Sequence, residues 1–345
     1  MSATDSASVP KPTLNWQLGF WSLIATQFQG AFNENALKFL VIYMVLSSEG
    51  AKANRDQIEA LVGALFAIPF ILFSMAGGFL ADRYSKRTVT IWTKLYEVGV
   101  MVFAMVALIE PNYRLALAAI FLTSTQGAFF GPSKYGLLPE ILPEEKLSWG
   151  NGLLELGTFV AIILGSVTGA RLADGFMGHQ VYSGALLLAF TVVGMLCSFG
   201  ISRTPAADPA RRFSLSMLYD LLSPAKLVRA DRVLFLAVVG NTYFWFLGAL
   251  LQLNIFNYGQ DILHIPATKS GFLQAAIGIG IGVGSAFAGY LSAGKIEYGL
   301  VPLGSAGMMV MGFLLALHGL TFTNVLLLLA ALALREAFLL FLSTL

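Results

Sequence analysis

Ten hydrophobic stretches, each long enough to cross a bilayer, govern what this chain can fold into. The hydrocarbon core of a membrane is about 30 Å thick and takes about 20 apolar residues as a helix. Such stretches run over residues 17–46, 58–80, 88–109, 114–132, 149–173, 181–201, 232–257, 268–293, 299–319 and 322–345. Lipid satisfies no backbone N–H or C=O group, so each stretch is expected to be helical. Composition agrees: only 12% of the 345 residues are charged and the mean hydropathy is +0.75, too little polar surface to cover a soluble core of this size. The expected fold class is therefore an all-α polytopic membrane protein.

Charge orients the spans. On the side of the N-tail and every second loop after it lie Lys11; Arg83, Lys86, Arg87 and Lys94; Lys134 and Lys146; Arg203, Arg211, Arg212, Lys226, Arg229 and Arg232; and Lys295. The other side holds Lys52, Arg55, Arg114, Arg171 and Lys269, and Lys38 and Arg335 fall inside spans. Fourteen basic residues against five put the N-terminus in the cytoplasm. Residues 1–16 show no signal-peptide pattern, so the first span is expected to be retained as an anchor. The basic, proline-containing connection 202–231 then divides a six-helix bundle, 17–201, from a second bundle, 232–345, with four spans. A short amphipathic helix is expected over 214–222 within that connection.

Several chemistries find no residues here. The single Cys197 excludes an intrachain disulfide, and His179, His264 and His318 are scattered, so neither a metal nor a cofactor is expected. No serine, cysteine or carboxylate constellation points to covalent catalysis, so the chain reads as no enzyme. A net charge of +2 suggests no nucleic-acid partner. The run GIGIGVG (278–284) lacks the strand and turn of a dinucleotide loop and reads as close helix packing.

Polar residues inside the spans carry the functional signal, because charge at membrane depth is costly. Span one holds Asn33, Glu34, Asn35 and Lys38. Glu34 and Lys38 are four apart on one helix face, in the order that favours an ion pair. Spans four and five supply Gln126, Lys134, Tyr135, Glu140, Asn151 and Glu155, with Lys134 a candidate partner for Glu155 or for an anionic solute. Glu97 in span three is a weaker candidate, explained by pairing with Lys94 at the interface. In span seven the stretch GALLQLN (248–254) sets Gln252 opposite Glu34 when Gly248 is aligned with Gly30.

The stretch GFLADRYSKR (78–87), between spans two and three, resembles the signature loop of the major facilitator superfamily. That resemblance implies conformational gating by Gly78, Asp82, Arg83, Lys86 and Arg87. It also implies a twelve-helix fold of two six-helix halves working by alternating access, with spans one and seven lining one central cavity. The matching loop of the second half, GYLSAGK (289–295), keeps the glycine and one basic residue. Three longer stretches narrow the resemblance: QFQGAFNENAL (27–37), PSKYGLLPE (132–140) and NGLLELGTFVAIILGS (151–166) look like the bacterial lysophospholipid transporter family. Such proteins carry lysophospholipids, chiefly lysophosphatidylethanolamine, to the inner leaflet of the inner membrane. An acyltransferase and acyl-carrier-protein synthetase, sometimes fused to the transporter, then restore the diacyl lipid.

By that resemblance Lys134 attracts the phosphate, Glu34 or Glu155 the ammonium, and Asn35, Lys38 and Gln252 complete the substrate site. Glu34 stands where an Asp is common, and Gln252 where some members have Arg. Residues 334–345 depart from the family's tenth span, and the expectation is a frameshifted or truncated gene, with ten spans of twelve. A general facilitator exporting a small amphiphile or drug, with Glu34 or Glu155 coupling to protons, is the competing expectation. A non-transporting membrane module is a third.

Overall fold

Each hydrophobic stretch of the first half becomes one helix: α1 (Trp16–Ser47), α2 (Arg55–Arg83), α3 (Lys86–Ala107), α4 (Tyr113–Ile141), α5 (Leu147–Gly175) and α6 (Val181–Ser198). Stretch seven becomes α7 (Arg232–Asn257). These assignments come from a computed structural model, which describes residues 16–47, 55–109, 113–176, 178–211 and 228–257 with short pieces between 276 and 313. Most of the expected spans 268–293 and 299–319, all of 322–345 and the expected helix at 214–222 lie outside the described residues. The count of ten and the limits of the second bundle therefore rest on sequence.

Among the described residues, five helices are long and apolar enough to cross a membrane, corresponding to α2 through α6. The sixth, α1, has 32 residues, about 48 Å of helix, but interrupts its apolar surface with Gln27, Gln29, Asn33, Glu34, Asn35 and Lys38. This is a multi-pass membrane protein.

The fourth span differs from expectation. Its hydrophobic run stops at Pro132, but the helix continues through Pro132 and Pro139 to Ile141. Proline is tolerated in membrane helices when neighbours take up the backbone group it frees. Pro132 has no N–H to give the carbonyl of Ala128. That carbonyl instead faces Gly77 of α2, where an added Cβ would lie 2.6 Å from it. The close approach of α2 to α4 thus falls on Gly77, while a Cβ on Gly78 would meet no described atom within 4 Å.

The consequence reaches the charge count, since Lys134 sits inside α4 rather than in a loop, and Lys94 is buried inside α3. Without them the asymmetry is twelve against five, still of the same sign.

Helix α1 is the centre of the bundle, packed on α5, α6 and α4; α2 packs on α4, and α3 on α4 and α6. Small residues set the spacing. An added Cβ at Gly165 or Gly169 of α5 would collide with the carbonyl oxygens of Phe32 and Ala36 on α1. One apolar cluster joins Leu37, Leu40 and Val41 of α1 to Met101, Ile120 and Leu187. A second joins Phe20 and Leu23, at the other end of α1, to Leu137, Leu138, Ile141 and Leu154. Between the two clusters α1 carries its polar residues, so a polar layer lies at mid-height in an apolar bundle.

Candidate functional site

The polar residues of α1 project towards different neighbours, and most are consumed there. Gln27 donates to Thr158 Oγ1 of α5 at 3.0 Å. Asn33 donates to the Leu187 carbonyl at 2.9 Å and to Thr191 Oγ1 at 2.6 Å, both on α6. Gln29 reaches α3, donating to Glu97 Oε1 at 2.9 Å and accepting from Lys94 Nζ at 2.7 Å. Lys94 also donates to Glu97 Oε2 at 2.7 Å and lies 5.7 Å from the Phe130 ring centroid. The expected Lys94–Glu97 pair is real, but it is buried in the bundle rather than placed at the interface. Side-chain pairing across membrane helices contributes about 0.6 kcal/mol per hydrogen bond on average, so this layer holds the helices together by number.

Glu34 is different, because its Oε1 is buried and has no hydrogen-bond partner. The carboxylate points at bare backbone: an added Cβ on Gly127 of α4 would lie 3.4 Å from Oε1 and 3.0 Å from Phe70 Cζ of α2. The i,i+4 partner Lys38 turns away. It donates to Asn35 Oδ1 at 2.9 Å and stands 4.6 Å over the Phe66 ring. Asn35 in turn donates to the Ala31 carbonyl of its own helix at 2.8 Å. Glu34 and Lys38 are thus held apart, and the compact ion pair that their spacing suggests is not formed.

The second pole of the site is Lys134. Its side chain is almost enclosed, yet it makes no hydrogen bond among the described residues. Its Nζ stands 4.5 Å from the centroid of the Tyr135 ring. Tyr135 Oη donates to Glu155 Oε1 of α5 at 2.8 Å. Lys134 lies within electrostatic reach of both Glu155 and Glu34. Helices α1, α4 and α5 thus bring Glu34, Lys134 and Glu155 into one charged region with Lys38 at its edge. The side chain of Gln252 lies outside the described residues, as does its expected meeting with Glu34.

The loop residues expected to gate form a separate cluster. Asp82 pairs with Arg211 of the central connection, not with its neighbour Arg83, and the Asp82 carbonyl accepts from the Asp208 N–H at 2.8 Å. Arg83 lies over Phe79 and Tyr84. Lys86 pairs with Glu140 at the end of α4, and Arg87 donates to the Phe199 carbonyl at 2.9 Å. The ends of α2, α3, α4 and α6 and the central connection, five segments, are therefore tied by these contacts at one end of the bundle, well away from Glu34.

Two elements of the site are not singled out by sequence. Gly127 stands one helical turn before Gly131, on the face that leads to Lys134, and that spacing is the signal that marks it. Phe66 and Phe70 lie in an ordinary apolar run. No group of three or more His, Cys, Asp or Glu that could hold a metal is found among the described residues.

The family model of the Major Facilitator Superfamily matches residues 19–344. The lysophospholipid transporter LplT of Citrobacter koseri is 31% identical over 291 residues, which cover 82% of this chain and 69% of that protein. The lysophospholipid transporter LplT of Salmonella typhimurium is 30% identical over 290 residues, 83% of this chain and 69% of that one. Among solved structures, the human organic anion transporter MFSD10 superposes with a TM-score of 0.77 at 16% identity, over 96% of this chain and 85% of its own. The transporter FucP in its outward conformation gives 0.72 at 14% identity, over 95% and 83%. These two likenesses establish the fold alone. The chain belongs to the Major Facilitator Superfamily and, within it, to the family of the bacterial lysophospholipid transporters.

Proposed function

We propose that the protein moves lysophospholipids with a lysophosphatidylethanolamine-like headgroup across the bacterial inner membrane for reacylation, by alternating access and without chemistry on the substrate. The observation that carries this reading is the Lys134 ammonium, enclosed at membrane depth and bonded to no acceptor among the described residues. A charge in that position is costly unless something pairs with it, and the phosphate of a lysolipid is such a partner. Glu34, with its buried and unpartnered Oε1, is placed on the same reading to take the ammonium. Glu155, held by Tyr135, balances Lys134 when no substrate is present. The acyl chain lies along apolar helix faces that already face lipid.

Orientation and organisation follow the same proposal. The N-terminus is cytoplasmic, on the strength of the charge asymmetry. Residues 17–201 form one half, 202–231 the connection and 232–345 the other half, with Asn35, Lys38 and Gln252 at the site. Gly78, Asp82, Arg83, Lys86 and Arg87 gate one end. The delivered lipid is reacylated by an acyltransferase working with acyl-carrier-protein synthetase.

Uptake of labelled lysophosphatidylethanolamine into spheroplasts, with and without the protein, tests the reading. Protein-dependent uptake that survives a protonophore is expected. Folded protein at the membrane with no uptake overturns it, and uptake abolished by the protonophore and by Glu34→Gln turns the reading towards a proton-coupled exporter.

A further inference from the structure

Gly127, Gly131 and Lys134 follow one another at i, i+4 and i+7 on α4, so they share one helix face. The strip runs about 10 Å along the axis. One end is covered, since a Cβ on Gly127 would sit 3.4 Å from Glu34 Oε1 and 3.0 Å from Phe70 Cζ. One turn on, a Cβ on Gly131 would meet no described atom within 4 Å. The far end is Lys134, 9% exposed and without a hydrogen bond among the described residues.

Glycine in a membrane helix ordinarily brings a neighbouring backbone close. Gly77, Gly165 and Gly169 do this against Ala128, Phe32 and Ala36. Gly131 does not: among the described residues, nothing occupies the space its missing side chain leaves. An independent observation points to a ligand there: along the strip, the space lies between two charged groups, Glu34 Oε1 and the Lys134 ammonium, that make no hydrogen bond among the described residues. Buried charge without a partner is unfavourable, and a molecule carrying both signs relieves it at both ends.

We propose that Gly131 is a specificity-determining residue: the bare backbone there seats a zwitterionic phosphate–ammonium headgroup between Lys134 and Glu34 and limits how large that headgroup can be. This inference rests on the lysophospholipid reading of the site and adds to it a sizing position.

The test uses the full chain in proteoliposomes and a graded series of labelled lysolipids with ethanolamine, N-methylethanolamine, N,N-dimethylethanolamine and choline headgroups. Gly131→Ala is expected to move the cut-off to a smaller headgroup, with about a tenfold loss for the largest lipid that the wild type carries. Gly131→Leu is expected to abolish transport of the ethanolamine lipid as well. Gly99→Leu on the exposed face of α3, where a Cβ also meets no described atom within 4 Å, is expected to leave the profile unchanged. Should Gly131→Leu fail to accumulate in the membrane, Gly131→Ala and Gly131→Ser carry the comparison. A headgroup profile unmoved by these substitutions, in a wild type that transports, overturns the role of Gly131 alone. A folded wild type that carries none of the four lipids overturns the functional reading and this inference with it.

Discussion

The Lys94 ammonium and the Glu97 carboxylate meet at 2.7 Å with side chains 0% and 2% exposed, and Gln29 bonds to both. Taking one member of such a pair leaves the other charge buried and uncompensated, which costs about 3–5 kcal/mol. Lys94→Ala or Glu97→Ala should therefore lower thermal stability in detergent sharply. Replacing all three by apolar residues of similar volume, with Lys94→Met, Glu97→Leu and Gln29→Leu, should restore most of it. A single substitution as stable as the wild type would show that the pair does not hold α1 to α3.

Lys134 predicts the opposite relation between stability and function. It has no hydrogen bond to lose among the described residues, and a charged side chain at membrane depth costs about 2.5–3.5 kcal/mol against insertion. Lys134→Met should leave the melting temperature unchanged or raise it, while substrate uptake falls at least tenfold, the factor that corresponds to about 1.4 kcal/mol of lost binding. Melting and uptake measured on one preparation check this, and a fall in both would make Lys134 a structural residue.

The first seven helices, the approximate ends of most of them and the pairing of Lys94 with Glu97 are legible in the sequence, because apolar length and i,i+3 spacing are local properties. What depends on neighbours is not. Pro132 reads locally as a helix end, yet α4 continues through it, and Gly77 of α2, which makes room for the Ala128 carbonyl, is its neighbour in space but not in sequence. For the same reason the partner of Asp82, Arg211, is not legible locally: it stands 129 residues away. Glu34 and Lys38 have the spacing of an ion pair, yet Asn35 and Phe66 draw the lysine aside. The charges at the site were visible early, but that Glu34 and Lys134 lie along one glycine strip required the packing of α1 on α4.

The glycines of α5 give a stability prediction of their own. Gly165 and Gly169 leave no room for a Cβ against Phe32 and Ala36, so side chains there must push α5 from α1. Gly165→Leu or Gly169→Leu should destabilise by about 1–3 kcal/mol or more, as overpacking does. Gly99→Leu should be silent. Folded yield and melting temperature decide, and equal behaviour of Gly165→Leu and Gly99→Leu would contradict the contact.

Asp82 and Arg211 are each 41% exposed at the side chain, and an exposed ion pair contributes about 0.2–1 kcal/mol. Asp82→Asn should leave the melting temperature nearly unaltered. If the pair fastens the central connection to α2, the substitution should still change the rate of transport, and Arg211→Ala should reproduce the change. The double variant should add nothing further. Additive effects on rate would show that the two residues act separately.

The most direct measurement is uptake of labelled lysophosphatidylethanolamine by proteoliposomes that hold the wild type or Lys134→Ala at matched amounts of folded protein. Rapid uptake by the wild type, reduced at least tenfold in Lys134→Ala, is the expected result. Equal uptake by the two proteins, or none by a folded wild type, would contradict a lysolipid site built on the buried ammonium of α4.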